Sequence, residues 1–248
     1  MTGEAIYQPG VWNKYHNASR SATYGFLAAL PLLILYEFLI VFANRSAVAQ
    51  VRVSSEMWLK QLLLVVGDHG LTAFGIAVLL AGIAVFWYDR KKKVPFNPRY
   101  FLWMFLESTV YAVVIAVIVS GLVSVILPAL AQSGPGEGLS MKLALSVGAG
   151  LYEELLFRVL LVGALFWVLR WFMGDRVLAY ILAAVAGAFL FSLMHYIGPL
   201  GDAFRLNSFL FRMLFGLALN VLFLVRGFGI AAWTHALYDV MVMVVLDG

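Results

Sequence analysis

Apolar residues along this chain fall into long blocks, not the narrow stripes of a soluble amphipathic helix, and short polar or Gly/Pro-containing segments separate the blocks. About 20 apolar residues at a helical rise of 1.5 Å match a hydrocarbon core of about 30 Å, so each block reads as a membrane-crossing helix. Residues 22–43 form the first. This block exceeds the apolar core of about 7–15 residues in a secretory signal and contains Pro31 and Glu37, so an uncleaved helix is expected. Residues 1–21 read as a polar to amphipathic arm, residues 44–60 as a polar external segment, and residues 61–66 as too short to span. Residues 70–88 are a clean span. Pro95 and Pro98 mark a turn before the long run 100–130, which should tilt. Gly134, Gly136 and Gly138 around Pro135 mark a loop over residues 132–140. Further spans are expected at 143–172, 177–196, 209–225 and 230–246, with Gly227-Phe228-Gly229 turning into the last. The pattern predicts an all-α, polytopic bundle of about seven spans, or eight if residues 58–66 re-enter. It is read as a single integral membrane domain over residues 1–248.

Composition agrees with that pattern. The chain is 63% hydrophobic and 12% charged, with a mean hydropathy of +0.94, well outside the range of soluble domains. No cysteine is present, which excludes disulfides, cysteine nucleophiles and thiolate metal sites. The formal net charge of +4 is concentrated at Arg90-Lys91-Lys92-Lys93, directly after a span. A basic cluster there retains a loop in the cytoplasm, and no nucleic-acid partner is expected. With the N-terminus inside, ten basic residues fall inside (Lys14, Arg20, five from Arg90 to Arg99, Arg170, Arg176, Arg226) against five outside (Arg45, Arg52, Lys60, Lys142, Arg205). A bacterial inner-membrane location fits the small size and short loops.

Ionisable residues within apolar helices cost about 2.5–3.5 kcal/mol each on insertion scales, so each needs a partner or a water-filled cavity. The second half concentrates them: Glu153, Glu154, Arg158, His195, Arg212, His235 and Asp239. Glu154 and Arg158 stand four apart and share a helix face, which predicts a bracing pair. Glu153 is then turned by about 100° and has no partner on its own helix. His235 and Asp239 are again four apart. If the helices bundle with charges inward, Glu153, His195, His235 and Asp239 meet at one cavity. A carboxylate and a histidine around a water make a general base, with a second histidine for the oxyanion. The same nitrogen and oxygen groups can instead hold a divalent metal such as zinc. Glu37, Glu107 and the Asp68-His69 pair, near span ends, read as interfacial, as do the aromatic residues there. Arg212, close behind a loop, reads as snorkelling.

In these residues the chain resembles the CAAX-protease and bacteriocin-processing family of intramembrane endopeptidases, which includes type II CAAX prenyl endopeptidases. The resemblance rests on Glu153-Glu154-x-x-x-Arg158, Phe191-x-x-x-His195 and His235-x-x-x-Asp239, in order, over a motif-bearing core at residues 140–246. It implies a peptidase acting on a membrane-associated protein or peptide, in contact with membrane lipid. Glu153 would activate water and His195 assist, while His235 and the last polar residue support the oxyanion and Glu154 with Arg158 brace the motif. Asp239 replaces the Asn of the usual pattern; an ionised Asp is a poor oxyanion donor, so it would orient His235, bind a metal or be protonated. A proton-coupled transporter and a non-catalytic membrane partner are the alternatives that the same polar groups allow.

Overall fold

The structure is a computed structural model that describes residues 10–44, 52–64, 70–92, 94–126, 138–198 and 201–246. The Asp68-His69 pair and most of the glycine-rich loop lie outside the described residues. Every described element is helical. In chain order these are α1 (Val11–Ser19), α2 (Ala22–Ala43), α3 (Ser54–Leu64), α4 (Gly70–Asp89), α5 (Arg99–Ile126), α6 (Leu139–Gly148), a π-helical segment (Ala149–Val162), α7 (Gly163–Phe172), α8 (Arg176–Met194), α9 (Leu206–Arg226) and α10 (Phe228–Val240), the last continued by π turns over Met241–Leu246.

The boundaries follow local chemistry. Ser21 caps α2 by accepting from the Tyr24 amide, and Asp175 caps α8 by accepting from the amides of Val177 and Leu178. Gly227, at φ 84°, ends α9 and starts α10. A side chain is disfavoured at that backbone angle, and a Cβ there would also meet the Arg20 backbone at 3.3 Å.

Among the described residues, five helices are long and apolar enough to cross a membrane: Ala22–Ala43, Arg99–Val119, Leu139–Phe172, Arg176–Met194 and Leu206–Arg226. α6, the π segment and α7 make up the third of these as one unbroken helix. Only 28% of the apolar window of α2 and 17% of that of Leu139–Phe172 is buried, so most of their hydrophobic surface points outward. Outward apolar residues such as Phe38, Phe86, Trp167 and Phe172 are those a lipid phase would cover.

α10 is the central element, packed on α2, α5, α6, the π segment and α9. Its first turns are small or apolar, and Ile230, Ala231 and Ala232 have no exposed surface. Close approach is possible because Gly150 faces it: a Cβ at Gly150 would lie 2.5 Å from the Ala236 Cβ and amide nitrogen. Small residues at such crossings bring backbones together where no hydrophobic drive separates protein from lipid.

Two expectations need correction. Residues 54–64, read as a polar segment followed by a short apolar run, form the helix α3; Ser54 with Glu56 in its first turn is a helix-start pattern. Residues 11–19 of the polar arm are also helical, with Tyr15 and Ala18 buried against the bundle.

Candidate active site

The π segment carries Glu153, Glu154 and Arg158 in the middle of its long helix. Such i→i+5 turns are rare and recur at functional sites. The wider turn replaces the expected α-helical spacing but keeps the predicted pair: Arg158 Nη1 lies 2.9 Å from Glu154 Oε1. Both residues are almost fully buried. Arg158 also donates to the Gly216 carbonyl of α9 at 3.3 Å, and its guanidinium sits 4.6 Å over the Phe191 ring of α8. One side chain therefore ties three helices together.

Glu154 has a second partner that spacing did not reveal. His235 Nδ1 is 2.8 Å from the same Oε1, so Glu154 bridges arginine and histidine. The other ring nitrogen of His235, Nε2, faces two carboxylates, Asp239 Oδ2 at 3.4 Å and Glu153 Oε2 at 3.9 Å. Phe215 and Phe191 hold the His235 ring edge-on, with centroids at 5.1 and 6.2 Å. His235 is only 2% exposed.

Glu153 and His195 lie in an outer layer. Both line a cavity of about 480 Å³ together with Phe157 and Met194, with residues of α3 such as Ser54 and Trp58 closing the opposite wall. The Glu153 side chain keeps 15% of its surface and accepts no hydrogen bond from any described residue. His195 ends α8, and its Nδ1 lies 2.8 Å from the Phe191 carbonyl. A carbonyl can only accept, so Nδ1 carries the proton and Nε2 is the nitrogen left for another partner. The site thus has a cavity wall of Glu153 and His195, backed by buried His235, Glu154 and Arg158, with the half-buried Asp239 beside His235.

Arg212 does not stand alone at the interface: it pairs with Asp202, another cavity-lining residue, at 2.5 Å and lies 5.2 Å from the Tyr196 ring. Sequence reasoning also missed the contribution of α3. This helix is pinned by Glu56, which is wholly buried, accepts from Tyr36 of α2 and pairs with Arg52 at 2.6 Å. Glu37 joins this cluster through Arg52 at 3.7 Å and Tyr152 at 3.5 Å. A larger apolar groove of about 960 Å³ between α2 and α4 shares no residue with the site.

His235 Nδ1 is engaged by Glu154 and His195 Nδ1 by a carbonyl, which leaves Nε2 as the available nitrogen of each ring. Among the described residues, no group of three or more His, Asp or Glu is placed to hold a metal ion.

Residues 135–241 match the family model described as type II CAAX prenyl endopeptidase Rce1-like, and every site residue named above except those of α3 and its anchors falls within the match. The match shows what these residues resemble and covers less than half of the chain. No curated protein and no solved structure matches the chain. Set among long apolar helices, the Rce1-like stretch lies within an integral membrane protein. The Rce1-like match begins after α5, so α1 to α5, including the cavity wall formed by α3, lie outside it.

Proposed function

We propose that the chain hydrolyses a peptide bond of a membrane-associated protein or peptide, with Glu153 as the general base toward a water in the cavity. The open carboxylate of Glu153 carries this reading: it lies on the cavity wall with no donor of the described residues within hydrogen-bond distance, His235 Nε2 being 3.9 Å away. Glu153 takes a proton from the water as its oxygen attacks the carbonyl carbon, then passes that proton to the departing amine as the C–N bond breaks. His195 Nε2 accepts the second hydrogen bond of the water and so fixes its orientation. The groups behind Glu153 are two carboxylates, Glu154 and Asp239, with Arg158 and His235. Arg158 and a His235 imidazolium whose two nitrogens face Glu154 and Asp239 together offset those two negative charges and leave Glu153 as the carboxylate facing water. Asp239 thus orients His235, a role an acceptor can fill where an oxyanion donor cannot.

The deciding experiment uses purified protein in liposomes with a panel of membrane-tethered peptides, with and without a lipid on the C-terminal residue. Wild type is expected to cut, including after treatment with a chelator. Glu153→Gln is expected to lose cleavage with its melting temperature unchanged. A wild type that cuts none of the panel, or a Glu153→Gln variant that still cuts, overturns the assignment.

A further inference from the structure

The cavity and most of the basic residues occupy opposite ends of the bundle, with Arg52, Arg205 and Arg212 at the cavity end, and three helices measure the separation. α2 is tied at its start to the basic loop: the Thr23 amide and hydroxyl donate to Asp89, and the Tyr24 hydroxyl donates to the Pro95 carbonyl. Thirteen residues later, Tyr36 bonds Glu56 of α3, the helix that forms the cavity wall. At 1.5 Å per residue the two ties are about 20 Å apart. α9 repeats the measurement in reverse. It starts beside the cavity, where Arg212 pairs with Asp202, and ends at Arg226, bonded to Glu107 and Ser19 beside the basic arm. α8 begins at Arg176 and ends at Met194, which with the capping His195 lies on the cavity wall. Lys14, Arg20, the cluster from Arg90 to Lys92, Arg99, Arg176 and Arg226 therefore share the end that the cavity does not.

Lysine and arginine near span ends are held on the cytoplasmic side. We propose that the cavity opens on the non-cytoplasmic side of the membrane, and that its substrate is a polypeptide that has crossed the membrane or is anchored on its far face. This rests on the peptidase reading for the word substrate, but the sidedness stands on geometry and charge alone. Translocation or far-side anchoring must then precede cleavage, and a protein that stays cytoplasmic cannot reach Glu153.

The chain contains no cysteine, so single-cysteine variants report position without background. Ser54 and Gln61 line the cavity mouth and are exposed; Lys91 and Arg176 are exposed at the basic end. In intact bacterial cells expressing the full chain, a membrane-impermeant maleimide is expected to label Ser54→Cys and Gln61→Cys as fully as in lysed cells. Lys91→Cys and Arg176→Cys should label only after lysis. The reverse pattern, or labelling of all four in intact cells, overturns the proposal. Repeating the labelling in a Glu153→Gln background separates the two ideas: an unchanged pattern with no cleavage by wild type defeats the peptidase reading and leaves sidedness standing, whereas active wild type with the reverse pattern defeats sidedness alone.

Discussion

Glu107 and Glu154 each meet an arginine inside the bundle, yet their surroundings are finished to different degrees. At the basic end Glu107 accepts at both oxygens: Arg226 Nε at 2.6 Å and Tyr111 at 2.8 Å reach Oε1, while Arg226 Nη2 at 2.8 Å and Tyr15 reach Oε2. Ser19 takes a further bond from Arg226, leaving Nη1 as its unpartnered nitrogen. In the site, Glu154 concentrates two partners on Oε1 and leaves Oε2 without one, Arg158 Nε is likewise unpartnered, and Glu153 has only His235 Nε2 at 3.9 Å among the described residues. A saturated carboxylate is what a structural brace needs, because an unmet buried polar group costs about 1–3 kcal/mol. That cost is tolerated at the buried Glu154, while the adjacent Glu153, on the cavity wall, is the carboxylate open to water.

Substitutions can break this contrast in order of expected effect. Glu153→Gln is expected to lower the cleavage rate by about 10²–10⁴-fold, the range for a positioned general base, with stability shifted by less than about 1 kcal/mol; single-turnover cleavage and thermal melting check it. Arg226→Met strands Glu107 and is expected to cost about 3–5 kcal/mol of stability, with the folded fraction still active. If Arg226→Met instead removed activity at unchanged stability, the assignment of the two clusters would be reversed. Gly150→Ala forces the π segment away from α10 and its Ala236; we expect about 1–3 kcal/mol of destabilisation together with lost activity, since His235 is the neighbour of Ala236. Urea titration beside kinetics on the same preparation reads both.

The smallest effect concerns Asp89, where α4 ends. Burial alone would raise its pKa, but Lys92 at 2.7 Å and the two bonds from Thr23 outweigh burial and hold it below the usual carboxylate value. A depressed folded pKa adds stability that is complete above the unfolded value of about 3.9 and is lost as pH falls through the folded one. Melting temperature should therefore fall on acidification below about pH 4, and less steeply for Asp89→Asn.

Helix existence was legible because long apolar blocks separated by Gly, Pro and charge leave few alternatives; residues 22–43 agree to the residue. The Glu154–Arg158 pair was legible as well, since i and i+4 remain neighbours on the segment. Other features depend on contacts between distant residues. Nothing in the spacing says that Glu154 reaches His235, 81 positions away, or that Glu107, read as interfacial, meets Arg226 across 119. α3 escaped for a different reason: its sequence is too short and too polar to signal a span, and its place is set by Glu56 meeting Tyr36. The π geometry leaves no composition signature at all.

α3 supplies one wall of the cavity from a stretch that precedes the family-matched residues by more than 70 positions. On the proposed peptidase reading, the groups that handle water and the wall that shapes the space for a substrate therefore come from stretches far apart in the chain, and the join between them is the contact of Glu56 with Tyr36.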